Sequence, residues 1–214
     1  MKSEAIVIDA GVGNLGNLER ALRFVGAECR VTTDPQEIAA AHCLVLPGVG
    51  AFKPPRETLR GALEGALRQA IEGGAWLLGI CVGFQLLFDD SDEFGMTDGL
   101  GLVPGSIRRL PETVPVPHIG WNRLHSERSH PLLDGIPPGS SFYFVHSFAP
   151  RLETPEAPVP DSVLALATHG APFTAVAARG RVAGTQFHPE RSGAVGLRLL
   201  ANYLEIAHAA DSGD

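Results

Sequence analysis

Three short stretches hold residues whose types and spacing suit nucleophilic chemistry. In "GICVGFQ", residues 79–85, Cys81 stands between Gly79 and Gly83, where an apolar run gives way to a helical pattern. A G-x-C-x-G pattern at such a junction predicts a sharp strand-to-helix turn that lifts the side chain above the sheet edge. Glycine on either side removes Cβ atoms from a crowded turn, and the helix N-terminus that follows favours an anion there. The N–H of Val82 then faces the place where an oxyanion would form. The plain alternative is a buried cysteine in a tight turn.

"QFHPE", residues 186–190, supplies a base and its orienter. In an extended chain the period-2 alternation puts His188 and Glu190 on one side, and Pro189 helps hold that extension. Glu190 is then expected to orient the imidazole while His188 faces Cys81 from another strand, the Cys-His-carboxylate arrangement of nucleophilic catalysis. "LPGVGAF", residues 46–52, follows an apolar run and is expected at the same sheet edge as Cys81. Gly48 and Gly50 flank Val49, so the peptide units there can turn over at low cost. Gly50 or Val49 is placed to give a second oxyanion donor, a strand-ending turn being the alternative. Most other histidines, such as His42 and His130, read as ordinary loop residues.

These residues need a scaffold, and the first half of the chain spells one out. "EAIVIDA", "ECRVTT", "HCLVLPG" and "AWLLGI" read as strands. Between them "NLERALRFVG" puts Leu18, Ala21, Leu22 and Val25 on one helical face, and Asp34-Pro35 opens a short helix as cap and first residue. "PPRETLRGALEGALRQAIEGG" reads as one long amphipathic helix, with Pro at its start and Gly-Gly at its end, and "GFQLLFDD" as the start of the next. Such alternation predicts a parallel sheet with helices on both faces. From about Val103 to Phe187 the runs shorten and turn β-rich: "VPGSIRRL", "SFYFVHSF", "VLALATH", "FTAVAARG" and "RVAGTQF". They read as antiparallel additions to one α/β domain covering residues 1–214. "ETPEAPVPDS" is expected as an exposed loop, and a final helix over roughly 193–208.

"GVGNLG", residues 11–16, matches G-x-G-x-x-G after the first strand, with Asp34 about 20 residues further on, as in a dinucleotide-binding fingerprint. That reading gives no role to Cys81, His188 or Glu190, and Asp34-Pro35 looks like a helix start rather than a ribose ligand. The glycines are therefore expected to serve the turn at the carboxyl edge of the sheet.

The 214 residues, 44% of them hydrophobic, suit a globular domain with a sizeable core. A net charge of −7 with scattered Lys and Arg argues against a nucleic-acid surface, and no apolar run is long enough to span a bilayer. "MKSEAIVIDAG" reads as a charged start and a strand rather than a signal peptide, so a cytoplasmic location is expected. Three cysteines, Cys29, Cys43 and Cys81, disfavour a disulfide framework. No cluster suggests a metal site, and no cofactor is expected.

"PGVG", "GICVGFQLLF" and "QFHPE", in that order, resemble the class I (triad-type) glutamine amidotransferases across about residues 5–207. Within that superfamily "DAGVGNL", "VPHIGWN" at 116–122 and "FYFVHSF" at 142–148 are most similar to the glutaminase subunits of imidazole glycerol phosphate synthase. Departures are small: Val82 and Phe84 where Leu and Met are frequent, Arg191 for Lys, Ala10 for Tyr. The resemblance implies a flavodoxin-like fold, a central mostly parallel sheet flanked by helices with added antiparallel strands. It implies hydrolysis of the glutamine side-chain amide through Cys81, His188 and Glu190, with Val82 and the Val49–Gly50 loop at the oxyanion. It further implies that Gln85 points to the substrate, that Glu93 pairs with the α-ammonium group, and that backbone groups of His146, Ser147 and Phe148 hold the α-carboxylate end. The implied partner is a (β/α)8 cyclase subunit, HisF, which receives the ammonia and converts PRFAR to imidazole glycerol phosphate and AICAR. Trp121, in a Pro/Gly-flanked loop, and Asn122 are expected to face that partner, packing being the alternative for Trp121, and Asn14 to carry a hydrogen bond to it. Glutaminase subunits serving anthranilate, GMP or pyridoxal phosphate synthesis are the runners-up, with a non-catalytic subunit on the same fold behind them.

Overall fold

A computed structural model describes residues 4–152 and 158–209. In chain order the elements are β1 (Glu4–Ile8), α1 (Leu15–Phe24), β2 (Glu28–Thr32), α2 (Pro35–Ala39), β3 (Cys43–Gly48), α3 (Lys53–Leu59), α4 (Ala62–Glu72), β4 (Trp76–Cys81) and α5 (Val82–Gln85). There follow β5 (Asp90–Ser91), β6 (Thr97–Asp98), β7 (Ser106–Arg109), β8 (His118–Arg123), β9 (His125–Ser126), β10 (Ser141–His146) and β11 (Phe148–Pro150). The chain then runs through β12 (Val163–His169), β13 (Ala171–Arg179), β14 (Val182–Thr185) and α6 (Gly193–Ala209).

Eight strands form the main sheet in the order β2-β1-β3-β4-β14-β13-β12-β9. β2, β1, β3, β4 and β14 are parallel, and β13, β12 and β9 extend the sheet antiparallel. The expected mixture of a parallel core with antiparallel additions is thus present. Every residue of β3 is buried, as a parallel strand covered on both faces requires. α1 buries Leu18, Ala21 and Leu22, with Val25 packed partly against the core, so its face was legible from the 3.6-residue spacing. α6 lies across the sheet, and the buried Tyr203 hydroxyl bonds to the Leu44 and Trp76 carbonyls at 2.6 and 3.0 Å.

Four expectations need correction. The long helix over 54–74 is two helices, because Arg60 is extended (φ −55°, ψ 143°) and Gly61 takes φ +83°, which interrupts the hydrogen-bond ladder. "GFQLLFDD" yields only the four-residue α5, after which backbone bonds from Leu100, Gly101 and Leu102 to carbonyls of 86–88 tie the segment into a loop. Trp121 and Asn122 lie on β8, not in a loop, paired antiparallel with β10. The "HPE" turn is also not extended through Glu190: Pro189–Arg191 is a 3-10 turn. Of the proline-rich stretch 153–162, residues 153–157 lie outside the described residues.

The "GVGNLG" loop joins β1 to α1 at the carboxyl edge of the sheet. Gly11 takes φ +79° and its N–H donates to Asp9 Oδ1, while Asn14 caps α1 by accepting from the Asn17 N–H. A dinucleotide fingerprint uses its third glycine for close helix-to-strand packing. Here a Cβ on Gly16 would meet no atom within 4 Å. Asp34 caps α2 by accepting from the Gln36 N–H at 2.9 Å, as expected. Among the described residues no helix is long and apolar enough to cross a membrane.

Candidate active site

Cys81 ends β4 and precedes α5 with φ +56° and ψ −111°. A non-glycine residue in this region is strained, and the surroundings must hold it there. They do so through glycines. A Cβ on Gly79 would lie 2.8 Å from the Gly83 carbonyl oxygen, and one on Gly48 would lie 2.7 Å from the Gly83 nitrogen. A Cβ on Gly83 would collide with the Leu46 carbonyl. The elbow is thus pressed against β3, with the Cys81 side chain at its apex.

β14 runs parallel beside β4, with Thr185 opposite Ile80, so the segment after β14 arrives next to the thiol. His188 caps the 3-10 turn, and Glu190 within that turn reaches back to accept from its Nδ1 at 2.8 Å. Both side chains are buried. The Nε2 atom makes no hydrogen bond to a nitrogen or oxygen of the chain. Burial alone would lower the pKa of His188, but hydrogen bonding and charge interaction with Cys81 and Glu190 outweigh it and raise the pKa well above the ordinary imidazole value. The raised value favours the protonated ring next to the Cys81 thiol. Burial pushes the Cys29 and Cys43 thiols up to about 11 and 12, so neither is a thiolate at neutral pH.

A cavity of about 240 Å³ opens over this pair, a size suited to an amino acid. Every residue named from sequence as catalytic, oxyanion or substrate-binding lines it, except Glu190, which stands behind His188. Gly50 takes φ +84° at its rim. Gln85 Nε2 donates to the Phe148 carbonyl at 2.8 Å and to Gln186 Oε1 at 3.1 Å. Glu93 accepts from the Phe52 N–H at 2.7 Å, and burial raises its pKa against that bond.

Two buried residues were not singled out from sequence. Gln186 places Nε2 3.9 Å from Cys81 Sγ. His118 bonds to His146 at 3.1 Å. Period-2 alternation along "HIGWN" and "TQFH" carries the only sequence signal for either. The three interface candidates separate. Trp121 is 60% exposed and packs edge-on against Tyr143. Asn122 is turned inward and donates to the Thr168 carbonyl at 2.9 Å. Asn14 is exposed and borders a small cavity that also touches His188 and Glu190.

Residues 6–206 match the family described as glutamine amidotransferase class-I. The chain is 45% identical over 199 residues to "Imidazole glycerol phosphate synthase subunit HisH" of Symbiobacterium thermophilum, covering 92% of each chain. It is 46% identical to the protein of the same name from Herpetosiphon aurantiacus, over 97% of this chain and 96% of that one. Among solved structures it resembles PurLQS from Thermotoga maritima (TM-score 0.75, 20% identity, 96% and 99% of the two chains). It also resembles a glutamine amidotransferase (TM-score 0.71, 22% identity, 95% and 98%). At these identities the structural matches speak for the fold.

Proposed function

The chain belongs to the class I glutamine amidotransferases, and from that premise we propose that it is the glutaminase subunit of imidazole glycerol phosphate synthase, hydrolysing glutamine for a cyclase partner. The observation that carries this reading is that Cys81, on its strained elbow, lines one cavity with a His188 that Glu190 holds at 2.8 Å.

In this reading Cys81 Sγ attacks the carboxamide carbon of glutamine. The Val82 N–H and the turned-over Val49–Gly50 peptide hold the oxyanion, where fixed donors stabilise developing charge most effectively. His188 gives its proton to the leaving nitrogen, which departs as ammonia. The same imidazole then takes a proton from water as it cleaves the glutamyl thioester to glutamate. Glu93 receives the α-ammonium group, Gln85 borders the side-chain amide, and backbone groups of His146, Ser147 and Phe148 take the α-carboxylate end. Gly50 has φ +84°; we take this as the resting orientation and propose that partner signalling turns the Val49–Gly50 peptide over, bringing its N–H to the oxyanion site.

Ammonia released to water is protonated and lost as a nucleophile, so the reading includes a (β/α)8 cyclase subunit that receives it, uses PRFAR, and forms imidazole glycerol phosphate and AICAR. The outer face of the β8–β10 ribbon is our docking surface. There Ile119 and Trp121 are exposed, beside Tyr143 with the Arg191 guanidinium 4.2 Å over its ring. Asn14, at the carboxyl edge of the main sheet and beside the His188–Glu190 turn, is taken to extend it. We read residues 1–214 as one domain, because β14 of the second half pairs directly with β4 of the first, and we expect it in the cytoplasm.

Glutaminase assays with and without purified cyclase and its nucleotide test this reading. The wild-type chain releases glutamate, faster with partner, and Cys81→Ser or His188→Ala does not. Full activity in either variant overturns the assignment. Stimulation by an anthranilate, GMP or pyridoxal phosphate synthase partner instead would move the chain to another pathway.

A further inference from the structure

Three histidines outside the triad, His118, His146 and His169, are packed together beneath the β8–β10 ribbon. His118 lies opposite His146 in the ribbon register and stacks on His169 with ring centroids 4.1 Å apart. Among the described residues no group of His, Cys, Asp and Glu is arranged to hold a metal ion.

Their hydrogen bonds can be satisfied in one direction only. The Phe148 carbonyl can only accept, so the proton of the 2.9 Å bond sits on His146 Nδ1. A neutral imidazole carries one N–H, which makes His146 Nε2 an acceptor. The 3.1 Å contact then requires a proton on His118 Nδ1. His118 Nε2 is left as an acceptor, and the Asn122 amide nitrogen stands 3.4 Å away while also donating to the Thr168 carbonyl. The reverse order would need a buried imidazolium at His146. Burial opposes that, pushing His146 down to about 3 and His118 to about 4, with the neighbouring histidines acting in the same sense. The chain of donors ends on the Phe148 carbonyl, which also accepts from Gln85.

We propose that His118 is a positioning residue: bonded to Asn122 on one side and His146 on the other, it fixes the Phe148 carbonyl and so holds the His146–Phe148 segment in shape for the α-carboxylate end of glutamine. Asn122 lies next to the exposed Trp121, so a partner that moves β8 moves the relay. This inference rests on the reading of residues 146–148 as part of the glutamine site.

Nitrogen-15 spectra of the histidine-labelled full chain at neutral pH test it directly. His118 and His146 are expected as neutral Nδ1–H tautomers, the form free imidazole populates less. An Nε2–H tautomer or an imidazolium at either ring overturns the relay. In the complex with the cyclase, His118→Phe keeps a ring for stacking and removes both hydrogen bonds. It is expected to raise KM for glutamine about tenfold, the size of one lost buried bond, with kcat within about twofold. His118→Asn, whose amide nitrogen replaces Nδ1, is expected to restore most of the loss. An unchanged KM in His118→Phe, or a fall in kcat alone, overturns the positioning role. Glutamine turnover by the unmodified chain tests the underlying reading and the spectra test the relay, so the two fail separately.

Discussion

Gly50 offers a quantitative test of the resting oxyanion loop. Its φ is +84°, and an added Cβ would meet no heavy atom within 4 Å. Gly50→Ala therefore introduces backbone strain without a collision. An L-residue in the left-handed region costs about 1–2 kcal/mol. Turning over the Val49–Gly50 peptide carries this φ by about half a turn to negative values, where alanine incurs no such cost. The substitution thus destabilises the resting orientation relative to the turned-over one by about 1–2 kcal/mol, a shift of roughly 5–30-fold in their ratio. Glutamate release by the chain without its cyclase should rise by about that factor. The fully stimulated rate, already drawn from the turned-over state, should stay within about twofold. An unstimulated rate that is unchanged or lower refutes the reasoning, because the +84° orientation would then be the competent one.

Gly83→Ala drives a Cβ into the Leu46 carbonyl. It should cost about 1–3 kcal/mol and lower Tm by about 2–4 °C for each kcal/mol, together with loss of glutaminase, read by calorimetry and glutamate release. Glu190→Gln keeps a hydrogen-bonding group 2.8 Å from His188 but removes the charge that raises its pKa. Stimulated glutaminase should fall by roughly 10²–10⁴-fold with the fold intact by circular dichroism. Acid should weaken the fold through His146. Its folded pKa, lowered to about 3 chiefly by burial, lies below the unfolded value of 6.5. The stability it supports is present above about pH 6.5 and lost as pH falls, amounting to about 2 kcal/mol by pH 5 in urea titrations; His118 adds in the same sense. Trp121→Ala removes an exposed aromatic from the docking face. The complex should weaken by about 2 kcal/mol or more in calorimetric titration, with Tm of the isolated chain unchanged.

The parts of this molecule that could be read from sequence are those fixed by local chemistry. Cys81 between glycines, Asp34-Pro35 at a helix start and Leu18, Ala21 and Leu22 on one face each obey a rule that acts within a few residues. The apposition of His188 with Glu190 was legible, although the turn that achieves it was not: Pro189 fits the start of a 3-10 turn as well as an extended chain. The break at Arg60–Gly61 escaped because an amphipathic period continues across it, while the backbone is set by packing elsewhere. The inward turn of Asn122 and the bonding of His118 and Gln186 depend on strands far apart in sequence, and no local pattern announces which polar side chain finds a partner across a sheet.

The pairing of β14 with β4 also sets an order of events during synthesis. Cys81 lies 105 residues ahead of Gln186, at the end of the strand that borders its base. At ribosomal rates of about 5–20 residues per second, roughly 5–20 s pass between the emergence of the cysteine and that of His188. During that interval the newborn chain carries the Cys81 thiol with neither His188 beside it nor the pocket closed over it. On the proposed mechanism, glutamine cleavage has to wait until β14 has inserted beside β4 and brought His188 to the Cys81 thiol.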